Sequence, residues 1–493
     1  MTIVLRDYQH EAIHDIRAAY KAAFKRVLLT LATGSGKTVI FTYVAAGIHA
    51  KGKRVLILAH RDELLVQIGK ALRQWDVPHS FLRAGVIGVP NSPVLVAGVF
   101  TAVKRLKGIK APDLIVCDEA HHATGSTTWG RILAAFPAAK VLGVTATPVR
   151  LDGTGLDECF EALVTGPSTA DLIERGHLSR PDVYAPPTKV DLSGVHRVGG
   201  DYNRGELATA MDKPKITGSA VEHYKKLAPG SAAVAFCVSI AHAEHVAAEF
   251  QAAGFTAASV DGKMDMEKRR RVLADFEHGK IQVLTSCDLI SEGFDLPRIE
   301  TAILLRPTQS LGLYLQQVGR SLRPYPGKER ALILDHVGNC RAHGLPDERR
   351  DWSLQGLPPE KRKPPRDGAP LRTCPVCFAV HTPAPVCPRC NHVYVVKSRK
   401  LEQEDGTLRK VNGVERPQPD LLLLETLRRD FGYLQEKGER MGYRPNWAKF
   451  VAMSKIKKAV AAGKLPAMDA WETVKGWSVG HGSSKEKAAG AAT

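Results

Sequence analysis

The feature that most constrains the fold is an alternation of short apolar runs with helical stretches, which occurs twice along the chain. In the first series the predicted strands are Val27–Leu31, Val55–Ala59, Val94–Val99, Leu114–Cys117 and Val141–Val144. The predicted helices between them include Lys37–Ala50 and Asp62–Trp75. Strands that are apolar along their whole length and alternate with helices are typical of a parallel sheet covered on both faces.

A second series of the same kind begins near residue 232. Its predicted strands are Ala233–Val238, Ala257–Val260, Ile281–Leu284, Thr301–Leu305 and Ala331–Leu334. Its predicted helices are Ala241–Ala253, Met266–His278 and Leu311–Leu322. The sequence therefore predicts an α/β fold with two tandem parallel-sheet domains.

The remaining segments differ from these two series in composition. Residues 346–388 hold ten of the 30 prolines, which is typical of a linker and a small irregular module. The predicted divisions are a first domain 1–165, an inter-domain linker and insertion 166–215, a second domain 216–340, a Pro-rich linker 341–372, a four-cysteine module 373–392, a basic helical C-terminal region 393–480 and a disordered tail 481–493.

The charge of the chain indicates a polyanionic partner. The formal net charge is +18. Residues 341–493 contain 28 Lys and Arg against 17 Asp and Glu, a net charge of +11 on less than a third of the chain. Such an imbalance favours binding to nucleic acid.

Nothing in the sequence predicts export or membrane insertion. Arg6 and Asp7 stand where a signal peptide would need its apolar run. The longest apolar stretch, 232–241, is shorter than the roughly 18–20 residues of a membrane span. Five cysteines lie in apolar surroundings, as reduced buried thiols do: Cys117, Cys159, Cys237, Cys287 and Cys340. We expect a cytoplasmic protein that does not bind membranes.

A glycine-rich loop joins the first predicted strand to the helix that follows it. Its residues Gly34, Ser35, Gly36, Lys37 and Thr38 match the end of the P-loop pattern. Glycines let backbone N–H groups turn toward phosphates, and the helix N-terminus adds positive potential. We expect the lysine to reach the phosphates of a nucleotide and the threonine hydroxyl to ligate Mg²⁺. The alternative is a glycine turn without function.

Two carboxylates follow a later strand of the same predicted sheet. Asp118 and Glu119 begin the sequence Asp-Glu-Ala-His at the end of the strand Leu114–Cys117. The carboxyl ends of parallel strands share one edge of the sheet, so this pair is expected beside the P-loop. We predict that Asp118 holds Mg²⁺ and that Glu119 activates the attacking water.

These motifs resemble those of superfamily 2 helicases, and the other motifs of that family occur in the expected order. The segments are 6–9 (the Q motif), 58–64 (Ia), 98–101 (Ib), 145–148 (III), 236–239 (IV), 285–297 (V) and 316–323 (VI). The resemblance covers roughly residues 3–340 and implies two RecA-like domains that close around ATP. It also implies that the chain is a nucleic-acid-stimulated ATPase.

The resemblance implies a role for each matching residue. Gln9 would contact adenine, and Gly293 and Asp295 of motif V would contact the nucleotide. Arg320 and Arg323 of motif VI would reach the γ-phosphate from the second domain. The residues implied to contact nucleic acid are His60, Arg61, Thr101 and Thr147.

The run 268–271, Lys-Arg-Arg-Arg, is interpreted separately from these motifs. A charge run of this kind is usually the solvated face of a helix. A contact with nucleic acid is the alternative.

The last four cysteines form two Cys-x-x-Cys turns. Cys374 and Cys377 are separated by nine residues from Cys387 and Cys390. Four thiolates in paired turns can surround Zn²⁺ tetrahedrally, and such a site folds a segment that has almost no core. We predict structural Zn²⁺; disulfides and a redox pair are the alternatives.

The C-terminal region mixes aromatic with basic residues between positions 433 and 450. Its aromatic residues are Tyr433, Tyr443, Trp447 and Phe450. This pattern suits stacking on bases, and equally the core of a small helical domain. A helicase core followed by a four-cysteine ribbon and such a tail resembles the bacterial RadD-type DNA-repair helicases and their phage relatives.

We therefore expect an ATP-dependent DNA helicase or translocase that acts in repair, recombination or phage replication. Single-stranded or branched DNA is the expected substrate, and a single-strand-binding or repair protein is a candidate partner. The alternatives are an RNA helicase, the motor subunit of a restriction system, and a non-enzymatic nucleic-acid-binding scaffold.

Overall fold

A computed structural model of the chain divides it into two compact units, residues 1–396 and 397–493. The described residues are 4–125, 128–185, 192, 194–198, 200–211, 214–287, 289–290, 296–357, 371–394, 419–441, 446–461, 465, 470–475 and 477.

The first sheet has seven parallel strands and is covered by helices on both faces. Its strands are β1 (Arg26–Thr30), β2 (Val55–Ala59), β3 (Ser80–Leu82), β4 (Val94–Gly98), β5 (Leu114–Asp118), β6 (Lys140–Thr145) and β7 (Ala162–Thr165). They lie in the order β3-β4-β2-β5-β6-β1-β7. The helices are α1 (Asp7–Lys21), α2 (Lys37–His49), α3 (Asp62–Arg73), α4 (Val99–Lys104) and α5 (Thr128–Ala135). Separate apolar clusters fill the two faces, which is why these strands are apolar throughout.

The second sheet has six parallel strands in the order β12-β13-β11-β14-β15-β8. Its strands are β8 (Arg180–Tyr184), β11 (Ala233–Phe236), β12 (Ala257–Val260), β13 (Val283–Ser286), β14 (Thr301–Leu304) and β15 (Arg330–Asp335), and a separate antiparallel pair is β9 (Arg197–Val198) with β10 (Asp201–Tyr202). The helices that follow the first sheet are α6 (Thr169–Glu174), whose Leu172 packs in the apolar cluster of the first sheet, α7 (Arg204–Met211), α8 (Pro214–Leu227), α9 (Ile240–Ala252), α10 (Met266–Glu277), α11 (Leu311–Ser321) and α12 (Asn339–His343). The two sheets confirm the predicted tandem parallel-sheet fold.

The stretch 166–215 is more than the linker and insertion that we predict. It supplies β8, which pairs with β15 and forms one edge of the second sheet. Pro181 lies within β8, where the sequence shows no apolar run. An edge strand tolerates proline because one side of its backbone needs no ladder bond.

The cysteine module packs on that same edge. Its short strands β16 (Arg372–Thr373) and β17 (Val380–His381) pair antiparallel, and Ala379 bridges Tyr184 of β8. Val380 joins the apolar core of the second sheet. The four-cysteine module, which we predict at 373–392 beyond a linker, therefore packs on the second sheet and belongs to the same compact unit, residues 1–396. β8 is not among the strands that we predict. Because β8 is an edge strand, the module can pack against its free edge.

The second unit is a small helical domain. Its helices are α13 (Pro419–Arg440), α14 (Trp447–Ala461) and α15 (Ala470–Lys475). Phe431, Ile456 and Val474 are buried in its core, whereas the side chains of Tyr433 and Phe450 are each 64% exposed. Of the four aromatic residues, Trp447 packs against this core, as a helical-domain core requires, and Tyr443 lies outside the described residues, so stacking on bases stays a prediction. Over the part of the chain that the structure describes, no helix is both long and apolar enough to span a bilayer.

Candidate active site

The P-loop lies between β1 and α2. Gly34 and Gly36 both have φ of +84°, a left-handed conformation that glycine adopts without steric cost. Gly36 caps the N-terminus of α2, and the Ser35 hydroxyl donates to the Ala32 carbonyl at 2.7 Å. The loop thus has the backbone conformation that turns N–H groups toward an anion at a helix N-terminus.

The Lys37 ammonium lies over the mouth of this loop. Its Nζ atom donates to the carbonyl oxygens of Leu31 and Ala32 at 3.2 and 3.4 Å. Burial lowers the pKa of Lys37, and the nearby carboxylates of Glu119 and Asp118 oppose that shift. The Lys37 side chain therefore lies beside two acids.

Asp118 and Glu119 lie at the carboxyl end of β5, as predicted. Glu119 has φ of 48° and ψ of 51°, a left-handed conformation that costs energy in a non-glycine residue. Its backbone N–H donates to the Asp118 carboxylate at 3.0 Å. The Glu119 Oε2 atom is buried and accepts no hydrogen bond from the described residues, although His121 Nδ1 lies 3.4 Å away. Two carboxylates and the Thr38 hydroxyl in the same cleft are a donor set that suits Mg²⁺.

A hydrogen-bonded chain leads from these acids to the segment 145–148. His121 Nδ1 lies 3.0 Å from the Thr145 hydroxyl, which donates to the Thr147 carbonyl at 3.0 Å. Thr147 is only 1% exposed, and a Cβ on Gly312 of α11 would be 3.0 Å from its hydroxyl. In this arrangement Thr147 contacts the second domain, so its burial favours a coupling role over direct nucleic-acid contact.

Helix α11 brings the second domain onto the P-loop. A Cβ on Gly319 would be 2.5 Å from the Thr33 Cβ, so only glycine permits this approach. Arg320 and Arg323 project into the same cleft as Lys37, Asp118 and Glu119. The cleft has a volume of about 940 Å³, which is in the range of small-molecule sites.

The first turn of α1 also packs against the P-loop. Gln9 Nε2 donates to the Ser35 carbonyl at 3.2 Å, and Gln9 Oε1 accepts from the Arg6 N–H at 3.0 Å. The Tyr8 hydroxyl, from the same segment 6–9 that resembles the Q motif, also donates to Ser35 O, at 2.7 Å. Gln9 is therefore held beside the P-loop, and its role toward a base remains a prediction.

Three of the residues predicted to bind nucleic acid belong to the first domain. His60, Arg61 and Thr101 are half-buried in the first domain. Arg61 Nη1 donates to the Leu289 carbonyl of the second domain at 3.1 Å, and the His60 ring packs on His122 with centroids 4.7 Å apart. Gly293 and Asp295 lie outside the described residues.

One residue of the basic run on α10 is not solvated, which corrects our interpretation. Arg269 is 9% exposed and pairs with Glu63 of the first domain, and Arg270 lines the cleft. Arg269 and Phe276 are seven positions apart and share the buried face of α10. The spacing could have revealed this, since residues seven apart lie on one side of a helix.

The four cysteines of the module converge. Cys374 Sγ lies 3.6 Å from Cys390 Sγ, Cys377 Sγ lies 3.8 Å from Cys387 Sγ, and all four Sγ atoms are within 4.8 Å of one another. Tetrahedral Zn²⁺ with Zn–S bonds of about 2.3 Å requires Sγ atoms about 3.8 Å apart.

The backbone of the two turns also fits a metal site. Phe378 and Asn391, which directly follow the two turns, have φ of 60° and 58°. Burial raises the pKa of the Cys374 thiol, but N–H donation from Cys377 and Val376 outweighs burial and lowers that pKa to about 6. The cluster therefore fits Zn²⁺, and none of the nine cysteines, all within the described residues, forms a disulfide.

Comparisons with known proteins agree with this geometry. Residues 2–150 match the family model "Type III restriction enzyme, res subunit", and residues 216–325 match "Helicase conserved C-terminal domain". A 51.5 kDa protein of a Lactococcus phage is 34% identical over 433 residues, which are 88% of this chain and 90% of the phage protein. The chain is also 29% identical over 356 residues to a Saccharomyces cerevisiae protein named as ATP-dependent helicase IRC3, covering 68% of this chain and about half (52%) of the yeast protein.

A solved structure shows the same fold. The fragment of a protein described as an HsdR subunit of a type I restriction enzyme from Vibrio vulnificus YJ016 superposes with a TM-score of 0.55 at 22% identity. The match covers 72% of this chain and 68% of that one.

The fold and the shared cleft define an ATP-dependent nucleic-acid motor built from two parallel-sheet α/β domains, of which the first carries the P-loop. The chain belongs to the superfamily 2 helicases.

Proposed function

We propose that this chain is an ATP-dependent DNA helicase or translocase that acts in repair, recombination or phage replication. One observation carries the proposal: Lys37, Asp118 and Glu119 of the first domain share a single cleft with Arg320 and Arg323 of the second. A site divided in this way is complete only when the domains are together. Separation and closure of the domains can then accompany ATP turnover.

In this proposal the P-loop holds the phosphates of ATP. The backbone N–H groups of Gly34, Ser35 and Gly36 face the phosphate oxygens, and Lys37 neutralises their charge. Thr38 and Asp118 would hold Mg²⁺, which neutralises charge between the β- and γ-phosphates when bound. The orientation of Gln9 beside Ser35 supports a contact with the base.

Glu119 would accept a proton from the attacking water. Its Oε2 atom is buried and accepts no hydrogen bond from the described residues, so that oxygen is available for this role. Arg320 and Arg323 would stabilise charge on the γ-phosphate, for which a planar guanidinium suits phosphate oxygens better than an ammonium. His121 and Thr145 connect Glu119 to the segment that contacts α11.

The choice of DNA rests on the motif V sequence Ser-Glu-Gly-Phe-Asp-Leu-Pro at 291–297 and on the zinc module with its basic tail. The RadD-type subfamily rests on the helicase core followed by the four-cysteine ribbon and the basic tail, and the 34% identity of a phage protein over 88% of this chain favours a phage relative. We propose His60, Arg61 and Thr101 as backbone contacts. An RNA helicase is the same-fold alternative, and a single-strand-binding or repair protein is the proposed partner.

A restriction-system motor is a second candidate, favoured by the family model for residues 2–150. Restriction also needs a nuclease. Among the described residues the only group of three or more His, Cys, Asp or Glu that could hold a metal is the four-cysteine group. Cleavage by this candidate would therefore require another subunit.

Comparing ATP hydrolysis with single-stranded, duplex and forked DNA and with RNA tests the proposal. We expect Mg²⁺-dependent hydrolysis that DNA stimulates more than RNA does, and no DNA cleavage. Lys37→Ala should lose ATP binding, whereas Glu119→Gln should bind ATP and hydrolyse it at least 100-fold more slowly, about the contribution of a general base. Stronger stimulation by RNA would support the alternative, and wild-type turnover by either variant would refute the site.

A further inference from the structure

A segment that leaves the second domain returns to the first. Residues 345–357 follow α12 and end against residues 153–157, which lie beyond β6 in the first domain. We call residues 345–357 the strap. The sequence predicts that these residues belong to the Pro-rich linker 341–372.

The beginning of the strap is fixed to α11. The buried hydroxyl of Tyr314 on α11 donates to the Gly344 carbonyl at 3.1 Å, and the His343 ring stacks on the Tyr314 ring. Arg350 Nη2 donates to the carbonyl oxygens of His343 and Leu345 at 3.1 and 2.8 Å. The strap therefore starts as a rigid extension of the helix that carries Arg320.

The end of the strap is hydrogen-bonded to the first domain. The backbone N–H groups of Leu156 and Asp157 donate to the Leu354 carbonyl at 2.7 and 3.1 Å. The Leu357 N–H donates to the Gly153 carbonyl at 2.9 Å. The Leu354 side chain packs against the apolar cluster between the first sheet and α5.

Two glycines allow the backbones to meet. Gly356 has φ of +79°, and a Cβ there would be 2.5 Å from Gly155 N. A Cβ on Gly155 would overlap the Leu354 carbonyl oxygen. Contacts this close exclude any other residue at either position without movement of the strap.

The residues that the strap contacts in the first domain, 153–157, lie in the chain shortly after the segment that contacts the catalytic acids. Residues 153–157 follow Thr145 and Thr147 within a few positions, and Thr145 contacts His121 at 3.0 Å. Between the two ends of the strap, its residue Arg349 forms an ion pair with Asp171 of α6 at 2.8 Å. The strap thus joins α11 to the segment behind the catalytic acids by a route outside the cleft.

We propose that the strap positions α11 against the P-loop by limiting how far the two domains separate, with Leu354 and Gly356 as positioning residues. The proposal rests on the shared site described under the proposed function. Before nucleic acid binds, the strap keeps a larger fraction of molecules closed. Nucleic acid that contacts both domains supplies the same restraint and makes the strap dispensable.

Gly356→Val tests this, because a β-branched residue fits neither the left-handed backbone nor the space. Gly230→Val is the matched control: Gly230 also has φ of +79° but has no atom within 4 Å of its Cβ position. Hydrogen exchange of a peptide spanning residues 150–160 should be faster than in the wild type in Gly356→Val, but not in Gly230→Val. Leu354→Asp is the second variant if the first fails to fold. The conservative variant Leu354→Met should behave as the wild type does.

The functional readout is the Kd for a non-hydrolysable ATP analogue, together with KM and kcat, with and without the best-stimulating nucleic acid. Without nucleic acid we expect Kd and KM to rise roughly fivefold in Gly356→Val, as when a closed population falls from about one half to about one tenth. Saturating nucleic acid should restore both within about twofold.

Faster exchange with unchanged Kd would overturn the proposal. Equal losses with and without nucleic acid, accompanied by a lower Tm, would show a merely structural role and would also overturn it. A wild-type protein that binds the analogue but hydrolyses no ATP would instead count against the proposed function, because the Kd comparison needs no turnover.

Discussion

Arg323 of the second domain lies directly against Gly34 of the P-loop: a Cβ on Gly34 would be 3.0 Å from the Arg323 Cγ atom. The two residues are nearly 300 positions apart in sequence and belong to different sheets. Their contact leaves no room for a side chain on the loop. It also places a guanidinium beside the loop that would hold the phosphates, so the site depends on both domains.

The position of Gln9 predicts base selectivity. Its Nε2 atom donates to Ser35 O, which leaves its second hydrogen available to a base. Gln9→Ala should weaken ATP binding and narrow the preference for ATP over GTP, measured as the ratio of their kcat/KM values. Loss of one hydrogen bond that a base requires corresponds to about a tenfold change in the ratio of the kcat/KM values. An enzyme that does not distinguish ATP from GTP before mutation would contradict this role.

The four-cysteine cluster predicts about one zinc ion per chain. Cys374→Ser combined with Cys387→Ser should abolish zinc binding, measured by metal analysis of the purified protein. Because Ala379 bridges Tyr184 at the edge of the second sheet, the double variant should also unfold at a lower temperature. Cys287→Ser, outside the cluster, should retain zinc. A wild-type protein free of zinc would refute the site.

The second unit is predicted to contribute binding to nucleic acid and not catalysis. Residues 397–493 contain 19 Lys and Arg against 12 Asp and Glu, a net charge of +7. Truncation after residue 396 should preserve basal ATP hydrolysis, weaken DNA binding and flatten the dependence of affinity on salt. Each lost phosphate contact removes about 0.9 from the slope of log affinity against log salt.

Truncation after residue 480 is the control, since it keeps the three described helices. Unchanged affinity and salt slope after truncation at 396 would assign the second unit another task, such as docking a protein.

Much of the fold could be predicted because its signals are local. The strands Val55–Ala59 and Ala257–Val260 have the predicted bounds, and the P-loop and the acids at the end of β5 lie at the predicted sheet edge. Apolar strands and glycine turns depend mainly on nearby sequence, so one sequence suffices to find them.

The parts that could not be predicted depend on distant partners. β8 carries Pro181 and little apolar character, and it becomes a strand because β15 offers a free edge. The sequence of the strap has no hydrophobic periodicity. Its position in the fold depends on the close contact between the glycines at 155 and 356. The spacing of Arg269 from Phe276 indicates the buried face of α10, but the pairing of Arg269 with Glu63 in the other domain has no signal in the nearby sequence. Such pairings arise from tertiary structure and leave no local pattern.

The most direct test of the shared site is the turnover of Arg323→Ala compared with its affinity for ATP. Arginines that reach a γ-phosphate contribute about 10³–10⁵ in rate where measured. The account predicts that kcat with saturating nucleic acid falls about 10³-fold or more while the Kd for ATP changes only a few fold. Arg330→Ala is the control, because Arg330 lies on β15 of the same domain and pairs with Asp182 outside the cleft. A fall in kcat of threefold or less in Arg323→Ala, matching the control, would contradict a catalytic site shared between the two domains.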